Sequence, residues 1–287
     1  MTQIGESAIR GENIERAVKG FALKEFKLRQ VCLQQSSSNW TETYYRETAT
    51  DLTAHGESFG IQPVARGAAF PHVDPSWTKV QGNHVKFAAE GLVFLEDKIT
   101  DAIDVQARTL LRVARSIASA VDTYIYAQLT AATSTSGVIA SADAWDSATI
   151  ANRDPIGDIL KGEAAIQENN YDVLANGYLL LNPKDYGSLM RNSNVINNPS
   201  FKTADVVSNG VVGQICGLKI IVSNSVTADE CMIVVGQRAA TWKSAVALTT
   251  ATIENEGVDF VIRAWEIGQI QITDPLCLYT ITNTAAA

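Results

Sequence analysis

Histidine is scarce in this chain: three of 287 residues, His55, His72 and His84. Their spacing matches neither H-x-x-x-H nor a zinc finger, and even with Asp74 nearby they read as solvated loop histidines. Four cysteines (Cys32, Cys216, Cys231, Cys277) stand far apart, without a C-x-x-C pair or a neighbouring histidine. They read as buried apolar residues in a reducing compartment. No run of about 18 apolar residues occurs, so no helix is expected to span a membrane. The first twenty residues carry charge throughout and lack the apolar core of a signal peptide, which points to manufacture in a cytoplasm. The sequon Asn39-Trp40-Thr41 is read as chance on the same ground. A P-loop, a G-x-G-x-x-G after a strand, G-x-S-x-G and a Cys–His pair are all missing. Carboxylates are scattered, and Glu254, Glu256 and Asp259 read as a solvated hairpin rim. No catalytic residue, cofactor or metal ligand is assigned, and the chain is not expected to be an enzyme.

What the chain has is apolar mass. Hydrophobic residues make up 46% and charged residues 19%, which describes a globular chain large enough for one big domain or two lobes. The net charge of -8 argues against a nucleic-acid binder with a broad basic face. Charge is uneven, however. Residues 1–33 hold six basic groups (Arg10, Arg16, Lys19, Lys24, Lys27, Arg29) against four acidic ones, while 220–287 hold three against seven. Phosphate contact is therefore expected of the head alone.

Along the chain, a short amphipathic helix is predicted from about Glu6 to Lys19, on Ile9, Ile14 and Val18. FALKEFKLRQVCLQQ follows as an extended arm with strand character, and WTETYYRET after the Ser36–Asn39 turn alternates as a strand. Residues 56–82 are broken by Pro63, Pro71 and Pro75 and by four glycines, which forces extended or looped backbone. The same stretch holds Phe59, Ile61, Val64, Phe70, Val73 and Trp77, too much apolar surface for a solvated loop. An arm that buries these groups against another subunit satisfies both observations.

From Leu95 the pattern becomes helical: Ile99, Ile103, Leu110, Ala114, Ile117, Val121, Ile125 and Leu129 recur at threes and fours with no Gly or Pro between. Thirty such residues reach about 45 Å, a structural spine. Asp97, Asp101 and Asp104 crowd its start, with Arg108, Arg112 and Arg115 further along one face. A Ser/Thr/Ala-rich connector follows. Asp154-Pro155 then starts a helix to about Asn169, GYLLLNP reads as a buried strand, and Asn182-Pro183 caps a third helix. After Gly210 the chain turns β-rich, through GLKIIVSNSV, CMIVVG, ALTTATIE, VDFVIRAWEIGQIQI and CLYTIT, and the tail NTAAA is expected to fray.

This order of parts resembles the Hong Kong 97-type major capsid proteins of tailed viruses. It runs from a basic arm through ARGAAFPHVDPSWTKVQGNHVKFAAEG, the long LEDKITDAIDVQARTLLRVARSIASAVDTYIYAQL helix and a lobe with YLLLNPKDYGSLMRN to VDFVIRAWEIGQIQITDPLCLYTIT. The resemblance implies an α+β fold: an N-terminal arm (1–55), an extended E-loop hairpin (56–94), a spine helix with the first part of a peripheral domain (95–149), an axial α/β domain (150–238) and a returning peripheral β-sheet (239–287). It implies a self-assembling shell subunit, in hexamers and pentamers of an icosahedral head around double-stranded DNA, with portal, scaffold and cement proteins as further partners. The expected place is the virion, assembled in the host cytoplasm. An encapsulin-like compartment enclosing a cargo enzyme is the alternative. Intersubunit contacts are expected at Phe59, Arg66, Phe70, Trp77, Lys79 and Lys86, and DNA-proximal groups at Arg10, Arg16 and Lys19. Lys79, Lys86 and Asn283 fall where some such phages crosslink, but a non-covalent shell is expected. A short arm implies a separate scaffold protein or none. For Arg108, Arg112 and Arg115 the expected partner is an acidic neighbour in the shell, with phosphate as the alternative.

Overall fold

The computed structural model describes residues 27–46, 63–69, 78–100, 105–133, 137–140, 143–192, 195, 213–255 and 257–285. In these the α+β class is borne out, with two sheets meeting along one long helix. The first sheet has four strands in the order β1 (Leu33–Ser36), β10 (Ala240–Asn255), β11 (Asp259–Ile272) and β4 (Val85–Phe94). The β10–β11 hairpin is its backbone, and β1 joins β10 in parallel. β4 runs antiparallel to β11 from Val85–Gly268 to Phe94–Asp259. Residues 85–94, expected within the extended loop, are thus an edge strand of this sheet.

The second sheet has six strands, in the order β5 (Val138–Ala140), β12 (Leu278–Thr282), β9 (Glu230–Val235), β6 (Gly177–Leu181), β8 (Leu218–Val222) and β7 (Gln214–Ile215). Its centre, Leu179–Leu181 and Cys231–Val234, is buried on both faces and reads as a continuous apolar run. The strands of 239–287 divide between the sheets: β10 and β11 build the first, whereas β12 pairs with β9 in the second. A third, two-stranded ribbon joins β2 (Thr41–Arg46) to β3 (Thr78–Asn83).

The expected continuous helix from Leu95 is described as α1 (Leu95–Thr100) and α2 (Val105–Thr133), with residues 101–104 outside the described set. The apolar stripe holds in α2, where Leu110, Ala114, Ile117, Val121, Ile125 and Leu129 are all buried. It fails at Ile99, which is 73% exposed on α1, and Ile103 lies outside the described residues. At 1.5 Å per residue α2 is about 43 Å long, and it packs on β4, β11 and β12. The close approach to β4 is made at Gly91, where a Cβ would lie 2.4 Å from Thr109 Cγ2.

The capping logic read from the sequence is present in the fold. α3 (Pro155–Glu168) begins with Asp154 Oδ1 accepting the Gly157 N–H at 3.0 Å, and α5 (Pro183–Met190) with Asn182 Oδ1 accepting that of Lys184 at 3.0 Å. A short α4 (Val173–Asn176) stands between them on an Asp172 cap.

Three expectations are corrected. The extended arm is, over Leu28–Val31, a 3-10 turn whose Leu28 and Val31 are buried; it wedges against α2 because two apolar groups three apart fall on one side of such a turn. His84 is not solvated but 3% exposed, because the chain passes directly from β3 into β4 there, with Nε2 3.3 Å from Ser37 Oγ; His55 and His72 lie outside the described residues. The C-terminal tail does not fray through Ala285. The Thr284 carbonyl accepts the Trp145 N–H at 3.0 Å, and Ala285 N–H donates to Asp229 Oδ1 at 2.8 Å.

Candidate assembly surfaces

The two faces of the four-stranded sheet differ in kind. Along β4 the side chains alternate as a period of two requires. Phe87, Ala89 and Val93 turn toward α2, while Lys86, Ala88, Glu90, Leu92 and Phe94 lie on the other face and are exposed. The register with β11 and β10 places Leu92, Val261 and Ile253 side by side on that outer face. Leu92 is 49% exposed and Phe94 46%, and Val258 in the hairpin turn 58%. Val261 between its neighbours is buried. The distal end of the hairpin is therefore a continuous apolar surface, and lone exposed apolar groups do not cluster in this way.

Nearer the middle the same face is charged and paired. Arg263 Nε donates to Glu90 Oε2 at 2.6 Å, and Lys86 Nζ stands 6.0 Å from the centroid of the Trp265 ring. A shallow cleft of about 340 Å³ lies between them, floored by Ala88, Ala89 and Ala264.

Of the sequence-selected contact residues, Lys86 lies in this charged zone. Lys79 is on the β2–β3 ribbon, exposed and in register with Tyr45, itself 58% exposed. The ribbon is fixed to the first sheet: Arg46 Nε donates to the Ile272 carbonyl at 3.2 Å, and Gln271 Nε2 to Glu42 Oε2 at 2.9 Å. Arg66 is exposed in a turn closed by the Ala68 N–H on the Ala65 carbonyl at 3.0 Å, with Gly67 taking the positive φ of 85°. The structure thus does not bring Arg66, Lys79 and Lys86 into one cluster; they are spread over a turn, a ribbon and a sheet face. Phe59, Phe70 and Trp77, and the basic Arg10, Arg16 and Lys19, lie outside the described residues. Asn283 has φ of 66° and follows β12 in the second sheet.

The sequence reading missed Leu92, Phe94 and Val258. Their signal was the simple alternation in VKFAAEGLVF, which marks Leu92 and Phe94 as the opposite face from Val93. It also missed the docking of the arm. Lys27 Nζ donates to the Val222 carbonyl at 2.9 Å in the second sheet, and Arg29 pairs with Glu266 at 2.6 Å in the first. The Arg29 guanidinium lies 5.1 Å from the centroid of the Trp242 ring, beside an open cleft of about 470 Å³. One short turn of chain so binds both sheets.

On α2, Arg108, Arg112 and Arg115 are exposed along one face together with Ser116, Ser119 and Thr123. The helix holds one carboxylate, Asp122, which is buried, and burial pushes its pKa up against the hydrogen bonds it accepts. Among the described residues no group of three His, Cys, Asp or Glu is placed to hold a metal, and no helix is long and apolar enough to cross a membrane.

Comparison with known proteins decides what these surfaces belong to. The sequence profile of a family described as phage capsid protein matches residues 87–281, well over half the chain. The chain belongs to the phage capsid protein family. The resemblance read from the order of its parts is borne out, and the chain is thereby a virion component of capsid type. No curated protein sequence matches it. Solved structures share the fold. The capsid of cyanophage P-SCSP1u matches with a TM-score of 0.67 at 13% identity, over 88% of this chain and 86% of that one. A native GTA particle capsid matches at 0.65 and 12% identity, over 91% of each chain. The virus-like particle from Pyrococcus furiosus matches at 0.64 and 12% identity, over 95% of this chain and 99% of that one.

Proposed function

We propose that this capsid protein is the major shell subunit of an icosahedral head, assembling as hexamers and pentamers around double-stranded DNA. The observation that carries the reading is the outer face of the four-stranded sheet. Leu92, Phe94, Ile253 and Val258 leave apolar area in water at the end of a rigid hairpin. Covering a half-exposed side chain of this size recovers about 1 kcal/mol, a small gain that a lattice repeats at every contact. A second copy supplies the cover. The fold shared with assembled particles supports this.

In this reading residues 56–84 form the arm that crosses a neighbour, with Phe59, Phe70 and Trp77 as its anchors and Arg66 and Lys79 as rim contacts. Lys86 meets the neighbouring arm on the outer sheet face. α2 is the spine, the second sheet is the axial lobe, and the basic head with Arg10, Arg16 and Lys19 lies toward the DNA. Portal, scaffold and cement proteins are further partners, and the role is structural with no turnover. Assembly takes place in the host cytoplasm. A cargo-enclosing shell of encapsulin type is the second reading, favoured by the nearly full-length likeness to the virus-like particle from Pyrococcus furiosus.

Electron microscopy of the purified recombinant protein after a sizing column tests the proposal. Closed icosahedral shells are expected. A stable small oligomer at high concentration and across salt conditions overturns it. Nucleic acid against protein cargo in particles from the native source separates the two readings.

A further inference from the structure

We propose that the tip of the β10–β11 hairpin of one copy docks into the cleft beside Trp265 on the outer sheet face of the next copy; that such contacts close a shell rests on the reading above. The tip holds Glu254 and Asp259, carboxylates that the sequence presents as a solvated rim. The Val258 N–H closes on the Asn255 carbonyl at 3.0 Å and Gly257 takes a φ of 77°, so the turn is a narrow knob at the end of two paired strands. Val258 and Glu254 are exposed on it, with Asp259 half-buried beside them. Asp259 accepts from Asn255 Nδ2, and among the described residues neither carboxylate meets a cation.

The cleft carries the complement. Its rim is Lys86, Glu90, Arg263 and Trp265, over a floor of small alanines. Arg263 and Glu90 neutralise one another at 2.6 Å, which leaves Lys86 as the surplus charge. Lys86 is exposed, its Nζ stands 6.0 Å from the centroid of the Trp265 ring, and among the described residues no carboxylate pairs with it. A carboxylate arriving at Lys86 therefore adds an ion pair without breaking one. The alanine floor and the indole ring leave room for the Val258 side chain, which loses its contact with water there. An acidic knob with an apolar end matches this cleft in charge and in shape.

Knob and cleft belong to the same strand pair but cannot meet within one molecule. From Asp259 to Trp265 β11 runs about 20 Å, and it is held in register with β4 over that whole length. The contact is therefore made between copies, head to tail, and repeats around a ring or lattice. The two-fold arrangements are disfavoured, since tip on tip opposes Glu254 and Asp259 to their own copies and cleft on cleft opposes Lys86 to itself. Lys86, where the reading above sets a neighbour's arm, is then met by a neighbour's knob as well.

The test is a charge exchange in the full chain: Lys86→Glu, Glu254→Lys and the two combined. Both positions are exposed, so all three proteins are expected to melt as wild type does. Gradient sedimentation gives the assembled fraction. Each single reversal is expected to lower it about tenfold, and the double to recover it to within about threefold of wild type, because the pair is restored with its signs exchanged. Should a reversal alter melting, Lys86→Gln and Glu254→Gln replace it; their double is expected to lose no more than either single, and additive losses overturn the proposal. Closed shells that the single reversals leave unchanged, or singles that fail without recovery in the double, overturn the contact and leave the shell reading standing. A small ring that is lost in the singles and restored in the double supports the contact and overturns the shell reading. A wild type that stays monomeric overturns both.

Discussion

The Asp122 carboxylate accepts the Lys27 N–H at 2.9 Å through Oδ2 and the Leu28 N–H at 3.3 Å through Oδ1, joining residues about 95 apart in the chain. The two donors are the N–H groups at the start of the 3-10 turn. Leu28 and Val31 then fill the space between α2 and the sheets, and the Gln237 N–H closes on the Val31 carbonyl at 2.7 Å. A side chain from the middle of the long helix thus decides where the arm enters.

Asp122→Ala is expected to lower unfolding stability by about 1–3 kcal/mol, since one buried and one part-buried N–H group lose their acceptor while the desolvated carboxylate is relieved. Asp122→Asn keeps one acceptor oxygen and should lose about half as much. Urea unfolding gives both numbers, and trypsin cleavage at Lys27 and Arg29 should quicken in the same order. Equal cleavage rates in all three proteins would show that the arm is held by Leu28 and Val31 alone.

At Gly91 the backbone of β4 comes close to α2. A Cβ there would meet Thr109 Cγ2 at 2.4 Å and Val113 Cγ2 at 3.0 Å. Gly91→Ala is therefore expected to cost about 1–3 kcal/mol even though alanine is the better strand residue by about 0.5–1 kcal/mol. Thr109→Ser removes the offending methyl. In a double-mutant cycle the pair should show a favourable coupling of about 1 kcal/mol. A coupling near zero would mean that the helix already stands off the sheet.

How much of this could be read from residues varied with the range of the forces involved. The helix stripe of α2, the Asp154-Pro155 and Asn182-Pro183 starts and the β10–β11 hairpin are local patterns, and each was legible. What was not legible depends on partners distant in sequence. Trp145 sits in a stretch that reads as a polar connector, yet it is fully buried, its Nε1–H donating to Asp158 Oδ2 at 3.1 Å. The burial of Thr284 and Ala285 depends on Asp229 and Trp145, and the return of β12 to the second sheet depends on β9. The exposed Leu92 and Phe94 were in plain alternation, but they were read as part of an arm and not as one face of a sheet.

Glu163 gives a pH signature. It is 5% exposed on α3, its Oε1 has no hydrogen-bond partner among the described residues, and burial raises its pKa from 4.5 to about 7. The folded state therefore keeps a proton that the unfolded chain releases near 4.5. Stability from this group is complete below pH 4.5, falls as pH rises toward 7 and is flat above that. The loss across the window is of order 3 kcal/mol. Glu163→Gln should remove this slope and stabilise the protein at pH 8 relative to wild type. Melting curves between pH 4 and 8 measure it, and a variant with the wild-type slope would assign the titration elsewhere.

The outer sheet face makes the last and most direct prediction. Leu92 is 49% exposed in the subunit, so Leu92→Asp loses little internal packing and should cost the isolated fold less than about 1 kcal/mol. In an interface the same carboxylate would be taken out of water opposite apolar atoms, at a cost of several kcal/mol unless paired. The two settings thus predict opposite results for one substitution: normal melting, and assembly reduced at least tenfold. Ile150→Asp is the control, an apolar residue 66% exposed but isolated on the other lobe, with unchanged yield expected. Particle yield from gradient sedimentation is the measurement. If Leu92→Asp assembles as wild type does, the apolar end of the hairpin faces solvent in the shell, and the contacts that close the lattice must be sought on the β2–β3 ribbon instead.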